Sequence, residues 1–140
     1  GNDTYNATSH SQGYAAHYSL ASFMETSGDD HYNSETDAEK ITQIIGGGRD
    51  NSAGLFIDNN GDDTYYFGNR SAGIGDMNGI GILKDLSGSD TYHWHKNRMN
   101  SGSPSLGKII DEGIGIGLTF KVIPQPNHAK GLFFDSNGDL

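Results

Sequence analysis

The sequence predicts an all-β fold, a parallel β-solenoid resembling a β-helix, with coils of about 27 residues. Three observations carry this. An acidic, glycine-centred turn recurs along the chain. Short β-forming runs flank it. Between the turns lie glycine-rich apolar stretches.

The turn comes first because internal periods decide architecture. Five segments align: GNDTY at residue 1, FMETSGDDHY at 23, FIDNNGDDTY at 56, LKDLSGSDTY at 83 and FFDSNGDL at 133. Their shared pattern is an apolar pair, an acid, two residues, Gly, a polar residue, Asp, any residue, Tyr. The first acid column holds Glu25, Asp58, Asp85 and Asp135, and the second holds Asp3, Asp30, Asp63 and Asp90. Asp29 and Asp62 precede two of these, and Asp139 follows Gly138 in the last segment. Tyr5, Tyr32, Tyr65 and Tyr92 close the turns at spacings of 27, 33 and 27.

Each copy reads as strand, turn, strand. AGLFID and GIGILKD are short apolar runs, and DTYYF and DTYHW are rich in β-formers. NGD and SGS are turn signals in which glycine supplies positive φ. In SAGIGDMNGIG and EGIGIGLTF, Gly and Ile alternate, which puts Gly on one face of a strand where neighbouring backbones approach closely. A unit this small cannot bury its own apolar face, whereas stacked units can. Stacking at about 4.8 Å then lays each column into a ladder of Tyr, Gly or Asp.

Insertions over residues 34–51 and 95–130 interrupt the period. The first carries SETDAEKITQIIG, in which Thr36 and Glu39 have capping-box spacing and Ile41, Ile44 and Ile45 form a stripe. This predicts a short helix over 37–45 with its apolar side against the body. The second insertion, with Pro104, Pro124 and Pro126, reads as a longer loop excursion. The 140 residues read as one domain, and both ends fall inside the repeat, as expected of a segment from a longer repeat protein.

Composition narrows the function classes. Glycine is 21 of 140 residues, about twice the usual share, so turns outweigh core. The net charge is −9, with three Arg and no basic run, which disfavours nucleic acid and anionic membrane surfaces. Eleven of the 18 acidic residues lie in the repeated turns, so the acidity belongs to the repeat. Cysteine is absent, which removes disulfides and thiolate metal sites. No apolar run approaches a membrane span.

Small cations are the natural partners of such turns. Two stacked carboxylates about 4.8 Å apart repel by roughly 3 kcal/mol at an effective dielectric near 20. Cations, protonation or hydrogen bonds must offset this, and an oxygen-only ligand set suits calcium. The candidate ligands are Glu25, Asp29, Asp30, Asp58, Asn60, Asp62, Asp63, Asp85, Asp90, Asp135, Asn137 and Asp139. Asp58, Asn60 and Asp62, like Asp135, Asn137 and Asp139, also stand at positions 1, 3 and 5 of a D-x-[DN]-x-[DN] loop. A full EF-hand is rejected, because position 6 is Asp63 and position 12 is Asn69. The competing reading is that these side chains only bond backbone in their own turns.

The other candidates read as structure. His93 and His95 share a strand face without a third ligand, and His10, His17 and His31 read as exposed polar positions. The tyrosine column reads as packing. No nucleophile elbow or dinucleotide turn is present.

GNDTY, GDDTY and GSDTY resemble half of the calcium-binding RTX nonapeptide, and the longer unit is similar to tandem G-x-D-x-Y repeats of bacterial surface or secreted proteins. The resemblance implies a β-roll-like solenoid, calcium between turns at Asp3, Asp30, Asp63 and Asp90, and an extracellular or cell-surface location. RTX repeats run every nine residues with a doubled glycine, whereas this chain carries one turn per coil. The expected function is a non-enzymatic, calcium-associated structural or adhesive domain, with calcium and a glycan or another surface protein as partners. The alternative is a polysaccharide-acting enzyme on a β-helix scaffold.

Overall fold

A computed structural model describes residues 1–68, 71–94 and 106–111. The described chain is all-β, in short parallel sheets. Its strands are β1 (Thr4–Tyr5), β2 (Ser9–Ser11), β3 (Ala15–Ala16), β4 (Leu20–Met24), β5 (His31–Tyr32), β6 (Thr42–Ile44), β7 (Gly48–Arg49), β8 (Ala53–Asp58), β9 (Thr64–Phe67), β10 (Gly75–Asp76), β11 (Ile80–Asp85), β12 (Thr91–Trp94) and β13 (Leu106–Asp111).

Four sheets form, in the orders β1-β5-β9-β12, β4-β8-β11-β13, β3-β7-β10 and β2-β6. Each strand pairs with its counterpart one repeat away, and all these pairs are parallel. The register follows the motif: Tyr5 pairs with Tyr32, Tyr32 with Tyr65, and Tyr65 with Tyr92.

Register also locates the insertions. Tyr32 lies 27 residues after its partner Tyr5, while Thr42 lies 33 after its partner Ser9. Six extra residues therefore fall between Asn33 and Ile41, a narrower interval than residues 34–51. The helix expected over 37–45 is replaced by a 3₁₀ turn, Ala38–Lys40, which ends at an extended Ile41 before β6 begins. Asp37 caps that turn by accepting from the Glu39 amide at 3.1 Å. Two physical reasons end the helix there. Thr42–Ile44 is drawn into pairing with Ser9–Ser11. Gln43 and Ile45 then take φ of 55°, outside the right-handed helical region. The isoleucine stripe still packs inward, with Ile41, Ile44 and Ile45 all buried.

The excursion expected over 95–130 is corrected in part. Residues 106–111 are a strand in register with β11, from Ile80↔Leu106 to Asp85↔Asp111. Phe67 to Ile80 spans 13 positions, and the counterparts Trp94 to Leu106 span 12, so no insertion separates β12 from β13. Residues 95–105 and 112–130 lie outside the described residues.

Two aromatic ladders fill the interior. Tyr5, Tyr32, Tyr65 and Tyr92 stack with successive ring centroids 5.3, 4.8 and 5.0 Å apart. Phe23 stacks on Phe56 at 5.1 Å, and Phe56 meets Tyr32 edge-on at 5.0 Å. Offset-stacked and edge-to-face pairs add to the burial term. Strand alternation delivers these side chains, since β8 buries Gly54, Phe56 and Asp58 and turns Ala53, Leu55 and Ile57 outward. The glycine face is a steric requirement: a Cβ on Gly54 would stand 1.9 Å from the Gly47 carbonyl oxygen.

Candidate functional site

The three described acidic turns, Glu25–Tyr32, Asp58–Tyr65 and Asp85–Tyr92, lie one above another because the strands before and after them are in register. The first acid ends its strand on the buried side. The second, two residues before the tyrosine, also turns in. Glu25, Asp30, Asp58, Asp63, Asp85 and Asp90 are all buried, and Asp30, Asp58 and Asp85 are fully so.

Two groups of carboxylates converge, each with oxygens within 4.8 Å of one another. Glu25 and Asp30 meet Asp58 of the next turn, and Asp63 meets Asp85 and Asp90 of the turn that follows it. These six are all among the ligands expected from sequence.

Hydrogen bonds join the turns in two opposed ladders. On the inner side each second-column Asp reaches back one repeat: Asp30 Oδ1 accepts from the Asp3 amide at 2.6 Å, Asp63 Oδ1 from Asp30 at 2.6 Å, and Asp90 Oδ1 from Asp63 at 2.8 Å. On the outer side the acceptors serve the following repeat: Asn2 Oδ1 takes the Asp29 amide at 3.2 Å, Asp29 Oδ1 takes Asp62 at 3.1 Å, and Asp62 Oδ1 takes Ser89 at 2.9 Å. The acids thus bond the neighbouring repeat, and not only their own turn. Charge-assisted bonds of this kind are stronger than neutral ones.

The tyrosines complete the inner wall. Tyr65 Oη donates to Asp85 Oδ2 at 2.6 Å, and Tyr32 Oη donates to Asp58 Oδ2. Each hydroxyl serves the first acid of the next turn. Burial, followed by the charge and hydrogen bonds of nearby aspartates, raises both phenols well above the ordinary tyrosine value.

These contacts leave oxygen atoms over. Glu25 Oε2, Asp58 Oδ1 and Asp63 Oδ2 are buried and make no hydrogen bond. Burial raises the Glu25 carboxyl, and the Asp30 charge adds to it. Burial likewise raises Asp58, against the Tyr32 hydroxyl, which favours the ionised form. Asp63 is pushed up to about 8, by burial and then by the charges of Asp58, Asp90 and Asp30, against the hydrogen bond from the Asp30 amide. Carboxylates so placed either keep protons near neutral pH or share a cation. Ion pairs such as His17–Asp50, Lys40–Asp37 and Arg49–Asp50 lie on other carboxylates.

No family model, curated protein or solved structure matches the chain.

The structure separates the remaining sequence candidates. Asp29, Asn60 and Asp62 are exposed. Asn60 Oδ1 accepts from Ser87 Oγ at 3.0 Å. The D-x-[DN]-x-[DN] reading is not assembled at Asp58, because Asp58 faces inward while Asn60 and Asp62 engage the next repeat on the outside. Asp135, Asn137 and Asp139 lie outside the described residues, as does His95. His93 stacks on Tyr66 at 4.4 Å, and His10, His17 and His31 are exposed.

Sequence reasoning missed one member of the first acid column. Asp111 pairs with Asp85, as Asp85 pairs with Asp58. The signal was present in GLFID, GILKD and GKIID, three copies of G-x-apolar-x-D. The third copy lacks the turn glycine and tyrosine that mark the others, so the longer motif passes over it. Among the described residues, no helix is long and apolar enough to cross a membrane.

Proposed function

We propose that the chain is a parallel β-solenoid whose coils are held together by calcium, serving as a non-enzymatic structural or adhesive domain of a secreted or cell-surface bacterial protein. Register supports the solenoid: four sheets advance together by one repeat, and the tyrosine and acid columns advance with them.

One observation carries the calcium reading. Buried carboxylates of successive turns converge in two groups while Glu25, Asp58 and Asp63 each keep a buried oxygen without a hydrogen bond. Leaving such atoms unsatisfied is costly. The donors are oxygens alone, with no thiolate or imidazole, which selects a hard cation. Each group brings together one oxygen from each of three carboxylates, and backbone oxygens or water would fill the rest of the six to eight positions that calcium takes. Calcium bound there would join a turn to its successor, since each group draws on two turns. Glu25, Asp30, Asp58, Asp63, Asp85 and Asp90 are the proposed ligands, and Asp29, Asn60 and Asp62 are ladder residues.

A scaffold fits better than an enzyme. The acids are repeated, buried and tied into ladders, whereas a glycosidase needs two carboxyls flanking an accessible bond. The partner would be a glycan or another surface protein, met by the outer faces of the coils. Calorimetric titration with Ca²⁺, then with a glycan panel, tests both parts. Heat from Ca²⁺ and none from glycans leaves the scaffold reading standing. Absence of Ca²⁺ binding removes the metal, and turnover of a polysaccharide removes the scaffold.

A further inference from the structure

We propose that the outer face of β4, β8 and β11 docks a second copy of this chain, packed sheet on sheet. Nothing in this contact requires calcium.

A sheet with one face in water alternates apolar inside and polar outside. The sheet β1-β5-β9-β12 follows this. Tyr32 and Tyr65 are buried, while Thr4, His31, Thr64 and Thr91 form one outward row. The sheet that carries β4, β8 and β11 does not. Its outward side chains include Leu20, Met24, Leu55, Ile57, Ile80 and Ile82, aligned by parallel register. AGLFID and GIGILKD thus carry apolar residues on both faces, the pattern of strands that are covered on both sides. Leu20 is 85%, Met24 63% and Ile80 49% exposed. Among the described residues, the other exposed large apolar side chains are Tyr18 and Met77, in the turns that lead into β4 and β11. Single exposed apolar residues need no partner, whereas a contiguous set marks an interaction surface.

Charge selects the occupant. The chain carries −9, so two copies repel over most of their surface. Among the described residues the exposed acids are Asp3, Asp29 and Asp62 in the acidic turns and Glu35, Asp37 and Glu39 in the first insertion. The outer face of β4, β8 and β11 holds no acid, since Ser22, Ala53 and Lys84 fill its remaining positions. Two copies therefore meet there without opposing carboxylates. Relief suits this too. Ala53 lies between Leu20 and Ile80, and Ser22 lies beside Leu55, which leaves hollows for the larger side chains of a facing sheet about 10 Å away. Three strands about 4.8 Å apart and about 20 Å long give roughly 300 Å² in plan. Stable complexes bury about 800 Å² per partner, so this dimer is weak and reversible.

The test is analytical ultracentrifugation of the whole chain from about 5 to about 500 μM, a range suited to micromolar association. Wild type is compared with Leu55→Glu, at the centre of the face, and with Thr64→Glu, which adds the same charge to the polar sheet. Wild type should show a monomer–dimer equilibrium. Leu55→Glu should raise the dissociation constant at least about tenfold, because two-fold symmetry puts the substitution into the contact twice. Thr64→Glu should leave it nearly unchanged. A wild type that stays monomeric throughout, as it would if residues 112–140 of its own chain covered the face, overturns the proposal. So does a dimer that Leu55→Glu leaves intact, or one that Thr64→Glu weakens equally. Circular dichroism checks folding. Should Leu55→Glu not fold, Leu20→Glu replaces it at the most exposed position of the face, and the same outcomes decide.

Discussion

Without calcium, the protein should lose stability as pH rises from about 4 to about 8. Asp63 is the leading cause, since its carboxyl is pushed up to about 8 from an ordinary 3.8. Glu25 and Asp58 move in the same direction, each chiefly through burial. Between the two values the folded chain keeps a proton that the unfolded chain has released. Stability therefore falls with rising pH across that window, is whole below it and is gone above it. One such group changes the unfolding free energy by up to about 1.4 kcal/mol per pH unit. Across the window this reaches several kcal/mol, a large part of the roughly 5–15 kcal/mol that holds an ordinary domain folded. Bound calcium would replace the protons and is favoured where the carboxylates are ionised, so it should act most strongly at the alkaline end. Saturation at ~100 times the dissociation constant adds about 2.7 kcal/mol. Thermal melts followed by circular dichroism, from about pH 5 to about pH 8 in chelator and in millimolar Ca²⁺, read this directly. The melting temperature should fall with pH in chelator and stay level or rise in Ca²⁺. Asp63→Asn should flatten the chelator curve. A level curve in chelator refutes the burial argument, and an equal fall in Ca²⁺ refutes the cation.

Four further outcomes are expected. Asp58→Asn should blunt stabilisation by Ca²⁺, whereas Asp29→Asn with Asp62→Asn should lower the melting temperature slightly and leave the Ca²⁺ increment unchanged, because the exposed ladder lies outside both carboxylate groups. Mg²⁺ should replace Ca²⁺ poorly in the same melts, as it dehydrates reluctantly and demands octahedral geometry. Tyr65→Phe keeps the ring stack but removes the 2.6 Å hydrogen bond to Asp85, at a cost of about 1–3 kcal/mol in denaturant unfolding. Replacing Ile41, Ile44 and Ile45 together by Ser should cost several kcal/mol, since burying each such side chain is worth ~1.5–3 kcal/mol, and an unchanged melting temperature would show that the segment is not packed.

The sequence alone determined the repeat, its turn chemistry and its strand content. The Asp and Tyr columns were legible because parallel pairing preserves spacing: residues 27 apart in the chain become neighbours in space, as Tyr65 and Tyr92 do. Gly–Ile alternation likewise foretold backbone contact at Gly81, where an added Cβ would stand 2.3 Å from the Ile74 carbonyl oxygen. Tertiary structure decided what spacing does not encode. It set Asp58 inside and Asp62 outside within one short acidic run, because strand alternation and the turn decide which carboxylates leave water. It turned a capping-box and isoleucine pattern into a 3₁₀ turn and a strand, since pairing of Thr42–Ile44 with Ser9–Ser11 prevails over weak local helix propensity. It also brought Asp111 into the acid column, where a strand without the motif's glycine and tyrosine is held in place by its hydrogen-bonded neighbour.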